Sequence, residues 1–390
     1  MSFLLNAGVF KRGQLIDPRA RLRGRVTDNE FRSFVDNCLK ANKSTGPNGY
    51  PNESVKTMSH TELEILREWA NEILAMEKAR VMTVEEMNGT IRLLHKGGVT
   101  DDRPQDWRPV VLLNCANQLV MHILNARLRS IVEKAGILAP GQSGGRQGRS
   151  TDINLTKLEW VTREALAQGK RVYRVDVDFT NAFNAMSQAA LWAVMRAYGI
   201  PDVDLFTSLF TVRMSPNDPQ CATTTFDTGV AQGSALSPLL FLIFMNALLG
   251  LLTDRGQKLR ISHGLKCGVQ LRRKEATPAA EQVESVGQFN LIGFVDDLSL
   301  FAQTLGGAQA LLKAIREFEL WSGLKVNRKK TCAMVVEQRG KSQCQMDETL
   351  VYMGQEVTFL ASSTACRYLG VWGTPTGDMS NTKKENLQEN

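Results

Sequence analysis

Two short apolar runs flank an acidic pair near residue 296. Asn290–Val295 leads in and Leu298–Ala302 leads out, and both have the length and content of β-strands. The pattern predicts a tight hairpin with Asp296 and Asp297 as its only turn material. A further strand is predicted over Arg171–Phe179. Val172, Val175 and Val177 are its apolar positions, and Asp176 and Asp178 share one face by the two-residue period. A helix over Gln188–Tyr198 follows. Helical spacing also marks Thr61–Met76, Val84–Asn88 and Gln118–Lys134. Gln309–Trp321 is amphipathic, with Leu311, Leu312, Ile315 and Phe318 on one stripe and Gly323 ending it. Leu239–Leu252 is apolar nearly all round, as a helix buried in a domain should be. Ser237 is positioned to cap it, Pro238 suits its first turn, and the run reads as too short to cross a membrane.

These elements divide the chain. Residues 1–35 are charged and irregular, an arm or a partial leading helix. Residues 36–170 read as mainly helical, with Gly141–Ser150 a Gly- and Arg-rich loop. From 171 to 373 strands and helices alternate, with a basic insertion at about 254–286. Residues 374–390 have no apolar face and read as a disordered tail. No internal repeat is present.

Composition narrows the function classes. With 390 residues and 43% hydrophobic content, the chain can bury a sizeable core. A net charge of +7 suits a polyanionic partner. The stretch Arg255, Lys258, Arg260, Lys266, Arg272, Arg273 and Lys274 is either a solvated insertion or a nucleic-acid contact. Seven Cys without paired spacing and four His argue against zinc and against a disulfide framework, and they suit a reducing, intracellular compartment. The apolar stretch at Met1–Ala7 is too short for a signal peptide.

The candidate chemistry lies in the carboxylates. An Asp-Asp pair alone is ordinary turn material. Adjacent carboxylates repel, however, and both ionise cheaply only with a cation between them. Aspartate oxygens are the hard ligands that Mg²⁺ takes. An Asp at the end of another strand, such as Asp178, would complete such a site.

The order of motifs then resembles one family. Asp178-Phe179-Thr180-Asn181-Ala182-Phe183 looks like the first palm motif of reverse transcriptases. Gly229-Val230-Ala231-Gln232-Gly233-Ser234-Ala235-Leu236-Ser237-Pro238 looks like their template–nucleotide motif, and Phe294-Val295-Asp296-Asp297 like their second metal motif. Gly323–Thr331 and Tyr368-Leu369-Gly370-Val371 resemble the next two. Upstream, Lys43–Gly49, Arg108–Asn114 and Gln142–Ser150 resemble finger motifs of the non-LTR retrotransposon and group II intron branch. An ordered series is far more specific than any one motif.

The resemblance implies an α+β fold: a right-hand polymerase palm, an antiparallel sheet with packed helices, joined to mainly helical fingers. After the Tyr-Leu-Gly motif the polar tail is expected to hold no helical thumb. It implies an RNA-directed DNA polymerase that adds dNTP to a primer 3′-hydroxyl on an RNA template, using two Mg²⁺ ions, with Mn²⁺ a possible substitute. Asp178, Asp296 and Asp297 are the implied catalytic and metal residues, with the Phe179 backbone carbonyl beside them. Lys96, Arg108, Asn181, Ala182, Phe183, Gln232, Gly233 and Lys330 are implied at the nucleotide. Phe183 falls at the steric gate that rejects a ribose 2′-hydroxyl, or else is a core Phe at a helix start. Arg146, Arg149, Ser237, Pro238, Tyr368, Leu369 and Gly370 are implied at nucleic acid. Three positions depart from the family pattern: Asn184 where Asp is usual, Asn117-Gln118 for Tyr-Lys, and Gly145 for an aromatic. Two other readings share many of these residues: an RNA-dependent RNA polymerase, and a decayed retroelement fragment that only binds nucleic acid. Phe183 and the intact Asp triad weigh against them.

Overall fold

The computed structural model describes residues 16–75, 89–97, 106–210, 213–216, 224–225, 228–263, 269–274, 284–337, 349–360, 364, 366–369 and 371–373. In chain order the elements are α1 (Asp28–Ser33), α2 (Asn52–Lys56), α3 (His60–Leu74), β1 (Gly89–His95), β2 (Trp107–Leu113), α4 (Cys115–Lys134), α5 (Thr151–Ala167) and β3 (Val172–Val177). Then come α6 (Ala182–Ala185), α7 (Gln188–Ala197), α8 (Val203–Leu209), β4 (Arg213–Pro216), β5 (Thr224–Thr225), α9 (Ser237–His263), β6 (Val269–Lys274) and β7 (Glu284–Phe289). The last are β8 (Leu291–Phe294), β9 (Asp297–Ala302), α10 (Leu305–Ser322), β10 (Cys332–Val336), β11 (Val351–Tyr352), β12 (Gln355–Glu356), β13 (Thr358–Phe359), β14 (Cys366–Tyr368) and β15 (Val371–Gly373). The helix predicted over Val84–Asn88, Gly370 and the tail at 374–390 lie outside the described residues.

The contacts group the chain into two compact units. One is Met1–Gly8, Ala139–Thr180 and Met245–Asn390; the other is Val9–Leu138 and Asn181–Phe244. The division therefore does not fall at residue 170, where the sequence pattern placed it. The first unit's core shows why. Leu158, Val161 and Ala165 of α5 are buried against Val172, Ile292, Phe301 and Val336 of its sheet, so α5 belongs with the strands that follow it. That sheet has the order β13-β10-β3-β9-β8. Strand β3 pairs antiparallel with β9 and β10, β9 pairs antiparallel with β8, and β13 runs parallel to β10. Helix α10 packs on β9 and β3, with Leu311, Ile315 and Phe318 buried. This is the mostly antiparallel sheet with packed helices that the motif order implied.

The second unit is less helical than expected. β1 and β2 form an antiparallel hairpin, and β4 and β5 extend it to a four-stranded sheet. The β-branched Thr90, Ile91, Val110 and Val111 favour extended backbone and carry the hairpin. Of the two readings of the first segment, residues 16–35 follow the partial leading helix, which is α1. Leu22, Val26 and Phe31 are buried, and Phe34 after them. Arg127 gathers the segment by donating to the Leu22, Gly24 and Arg25 carbonyls and to Glu30. Thr27 and Glu30 close a capping box on α1, and Ser59 and Glu62 do so on α3.

Two expectations about the apolar segment change. Helix α9 runs on from Ser237 to His263, and Ser237–Asp254 is long and apolar enough to cross a membrane by length and composition, although 83% of it is buried inside the protein. The Ser237 hydroxyl is buried without a hydrogen-bond partner, so it does not cap the helix. The polar Asn246 within the segment is satisfied: its side-chain oxygen accepts from the Ala139 N–H at 2.7 Å. Within the described residues the basic insertion comprises the C-terminal part of α9 and the antiparallel strand pair β6–β7, and Lys266 lies outside them.

Candidate active site

Antiparallel pairing brings the acidic residues together. In the β3–β9 ladder Val177 lies across from Leu298. The ladder ends there, and the next residues on the two strands are Asp178 and Asp297, near enough for the Asp178 charge to act on Asp297. The turn of the β8–β9 hairpin is Val295-Asp296, because Phe294 already pairs with Asp297. Asp297 is thus the first residue of β9 and not turn material. Its side chain is aimed by strand geometry, while Asp296 sits on the turn beside it.

That turn is held in an unusual conformation. Val295 has φ 59°, a region that β-branched residues rarely enter. Its neighbours enforce it. The Gln142 amide donates to the Val295 carbonyl at 3.0 Å and accepts from the Val295 N–H at 2.9 Å. A Cβ on Gly144 would lie 2.5 Å from the Val295 nitrogen, so only glycine allows this approach. The Asn154 amide and the Ser143 N–H both donate to the Gly293 carbonyl. Strain of this kind persists where surrounding structure over-determines it, and it concentrates at functional sites.

The electrostatics agree with the geometry. Burial pushes the Asp296 carboxyl above its ordinary value, and the Asp178 charge pushes it the same way. Asp297 rises to about 6, first through burial and then through the charges of Asp296, Asp178 and Asp176, while Lys330 opposes the rise. Asp178 is fixed through its backbone: its carbonyl accepts from the Asn327 N–H at 2.8 Å, and the Thr180 N–H donates to the Lys325 carbonyl at 2.8 Å. Phe179 between them bridges to Val326, with its ring buried. Among the described residues no three acidic, His or Cys groups close into a ready-made metal cage.

In the second unit other motif residues meet. Lys96 donates to the Asn181 side-chain oxygen at 3.2 Å. Arg108 is exposed on β2, across the hairpin from Leu94. Ala182 is buried. The half-buried Phe183 stacks on Phe241, with ring centroids 4.3 Å apart and planes at 18°. The Gln232 carbonyl accepts from the Val111 N–H at 2.6 Å, and its amide donates to Asn184 at 3.3 Å. Asn184, which departs from the family pattern, therefore holds Gln232. Gly233 has φ 118°, and a side chain there would strike the Val111 carbonyl.

The residues expected at nucleic acid fare differently. Pro238 is exposed, but Ser237 is only 1% exposed and cannot reach a strand. Tyr368 is buried and Leu369 half-buried. Arg146 donates to the Ala139 carbonyl, and Arg149 to those of Pro140 and Gln142, so both brace their own loop. Sequence reasoning missed Lys157, which donates to the Ser143 hydroxyl and feels Arg149 and Arg146. It also gave no role to Gln142, although that residue stood within a quoted motif.

The family profile and the curated relatives agree on one family. The profile described as "Reverse transcriptase (RNA-dependent DNA polymerase)" matches residues 94–372. The retrovirus-related Pol polyprotein of the type-2 retrotransposable element R2DM from Drosophila melanogaster is 29% identical over 286 residues, 72% of this chain and 24% of that protein. The Pol polyprotein of a type-1 retrotransposable element R2 from Popillia japonica is 25% identical, over 61% of this chain and 31% of its own length. A probable RNA-directed DNA polymerase from transposon BS of Drosophila melanogaster is 26% identical, over 53% of this chain and 23% of its own. A solved apo telomerase from Candida tropicalis, truncated from its C-terminal domain, is similar at TM-score 0.47 and 13% identity, over 77% of this chain and 55% of that one. The chain thus spans roughly a quarter to a third of the curated relatives it matches. With the ordered motifs, the sheet and the converging carboxylates, the profile match establishes that the chain belongs to the reverse transcriptase (RNA-dependent DNA polymerase) family.

Proposed function

We propose that this chain carries the polymerase centre of a retroelement protein and copies an RNA template into DNA from a primer 3′-hydroxyl. The observation that carries the reading is the convergence of Asp178, Asp296 and Asp297 at one end of one antiparallel sheet. The donor set fits Mg²⁺. All three donors are hard carboxylate oxygens, burial and the neighbouring carboxylates penalise the charged forms of Asp296 and Asp297, and a divalent cation relieves both penalties. An open cluster also suits an ion that takes its remaining ligands from water and substrate phosphates. What two Mg²⁺ ions supply when bound is charge stabilisation at the attacking and leaving oxygens of an in-line displacement.

The remaining work falls to side chains. Arg108 offers a planar fork to the triphosphate oxygens, and Lys96 a point charge. Phe183, braced by Phe241, offers a rigid ring against a sugar 2′-hydroxyl. Gln232 and Gly233 present backbone to the nucleotide and template. Lys330 stands in electrostatic reach of Asp297 and holds a proton for the departing pyrophosphate. A primer-extension assay tests this reading. Extension with dNTP on an RNA template supports it, preference for rNTP points to an RNA polymerase, and binding without extension to a decayed fragment.

A further inference from the structure

The face of β3 that carries Asp178 carries two more charged groups, Arg174 and Asp176, at the two-residue period. Both are engaged below the site. The Arg174 Nε donates to Asp176 Oδ1 at 2.8 Å, and its Nη2 lies 2.6 Å from Oδ2. Ser299, directly across the ladder on β9, donates its hydroxyl to Asp176 Oδ1 at 2.6 Å. The Arg174 guanidinium also sits over the Tyr368 ring, 5.2 Å from its centroid. The side chains of Arg174 and Asp176 are only 7% and 18% exposed. Asp176 nevertheless acts on Asp297 through its charge. A fourth carboxylate therefore stands beside the three, paired with a buried cation.

We infer that Arg174 is a positioning residue for the metal site. By locking Asp176 in a two-point ion pair, it keeps a fourth carboxylate from ligating. It thereby fixes the charge that Asp178, Asp296 and Asp297 present to a divalent cation. The inference rests on the proposed ligand role of those three residues. It also gives Tyr368 a place as the aromatic lid of the guanidinium, consistent with its burial. A merely structural ion pair makes no such claim, because breaking it from either side would only loosen the fold.

The two accounts differ in sign. Mn²⁺ binding to the whole chain, without nucleotide or nucleic acid, can be read from the free-ion paramagnetic resonance signal at fixed pH and ionic strength. Arg174→Met frees a buried negative charge and should tighten Mn²⁺ binding by about tenfold, equivalent to about 1.4 kcal/mol. Asp176→Asn leaves the guanidinium uncompensated and should weaken binding by a similar factor. The double variant should return close to the wild-type value, and Arg174→Lys should lie between wild type and Arg174→Met. If Arg174→Met does not fold, Arg174→Lys carries the opposite-sign arm: binding tighter than wild type, beside the weakened Asp176→Asn, supports the inference, and equal or weaker binding overturns it. Single variants that shift affinity in the same direction, or not at all, overturn the inference when Asp178→Ala still weakens binding. If Asp178→Ala leaves binding unchanged, the ligand reading itself fails, and the inference with it.

Discussion

Replacing Asp297 with Asn should stabilise the metal-free chain while destroying its use of metal. The carboxyl rises from its ordinary 3.8 to about 6. The fold therefore binds this proton more tightly than the unfolded chain does, and stability falls as pH rises between those two values. Above about pH 6 the whole penalty is present, about 3 kcal/mol if the shift is converted directly. Solvent screening at a partly exposed group trims this to about 1–2 kcal/mol. Asn keeps the shape and removes the charge. At pH 7.5 and with chelator present, Asp297→Asn should melt about 1–3 °C above wild type. At pH 4 that gap should close, because wild-type Asp297 is then protonated in the fold. Mg²⁺ should reverse the order. At a hundredfold excess over its dissociation constant a ligand adds about 2.7 kcal/mol to the wild type, more than the penalty, and the variant should largely lose this gain. Paired thermal melts at the two pH values, with and without Mg²⁺, make the comparison. A variant less stable than wild type at pH 7.5 without metal would refute the reasoning, since it would show Asp297 to be a stabilising group and not a strained one.

Other outcomes follow from the same geometry. Gln142→Ala removes both side-chain bonds that hold Val295 at positive φ, so it should cost about 2–3 kcal/mol in a denaturant titration and slow extension more than it weakens template binding. Phe183→Val should raise the ratio of rNTP to dNTP incorporation in single-nucleotide assays; an unchanged ratio would mark Phe183 as a packing residue on Phe241. Binding to an RNA–DNA hybrid should weaken steeply with salt, as counterion release requires, with a log–log slope that reports the number of phosphates neutralised.

Residues whose roles follow from local pattern were the readable ones. The hairpin around Asp296 and the strand before Asp178 follow from apolar runs of strand length, and α7 and α10 from helical spacing. The turn itself was not readable. Val295-Asp296 replaces the expected Asp296-Asp297 because Gln142 and Gly144, about 150 residues away in sequence, impose a positive φ that Val does not choose. The membership of α5 was hidden for a similar reason, since the surface that buries Leu158 and Val161 comes from strands far along the chain. β1 and β2 escape the sequence reading because Leu93 and Leu94 stay exposed and only Gly89, Val111 and Leu113 of the pair are buried, so the apolar positions do not mark a single buried face. Ser237 had the sequence of a cap and the position of a buried first-turn residue. Arg174 and Asp176 were visible at the two-residue period beside Asp178, but only the fold shows that they pair below the site.

The central claim is that three converging aspartates form a metal-dependent centre for DNA synthesis on RNA. Single-nucleotide incorporation by the purified chain, on an RNA template with a DNA primer and titrated Mg²⁺, tests it most directly when wild type is run beside Asp178→Ala. The account predicts Mg²⁺-dependent addition of the templated dNTP by wild type. It predicts none by a folded Asp178→Ala that still binds the hybrid. Incorporation by Asp178→Ala at the wild-type rate, or by wild type in excess chelator, would contradict it.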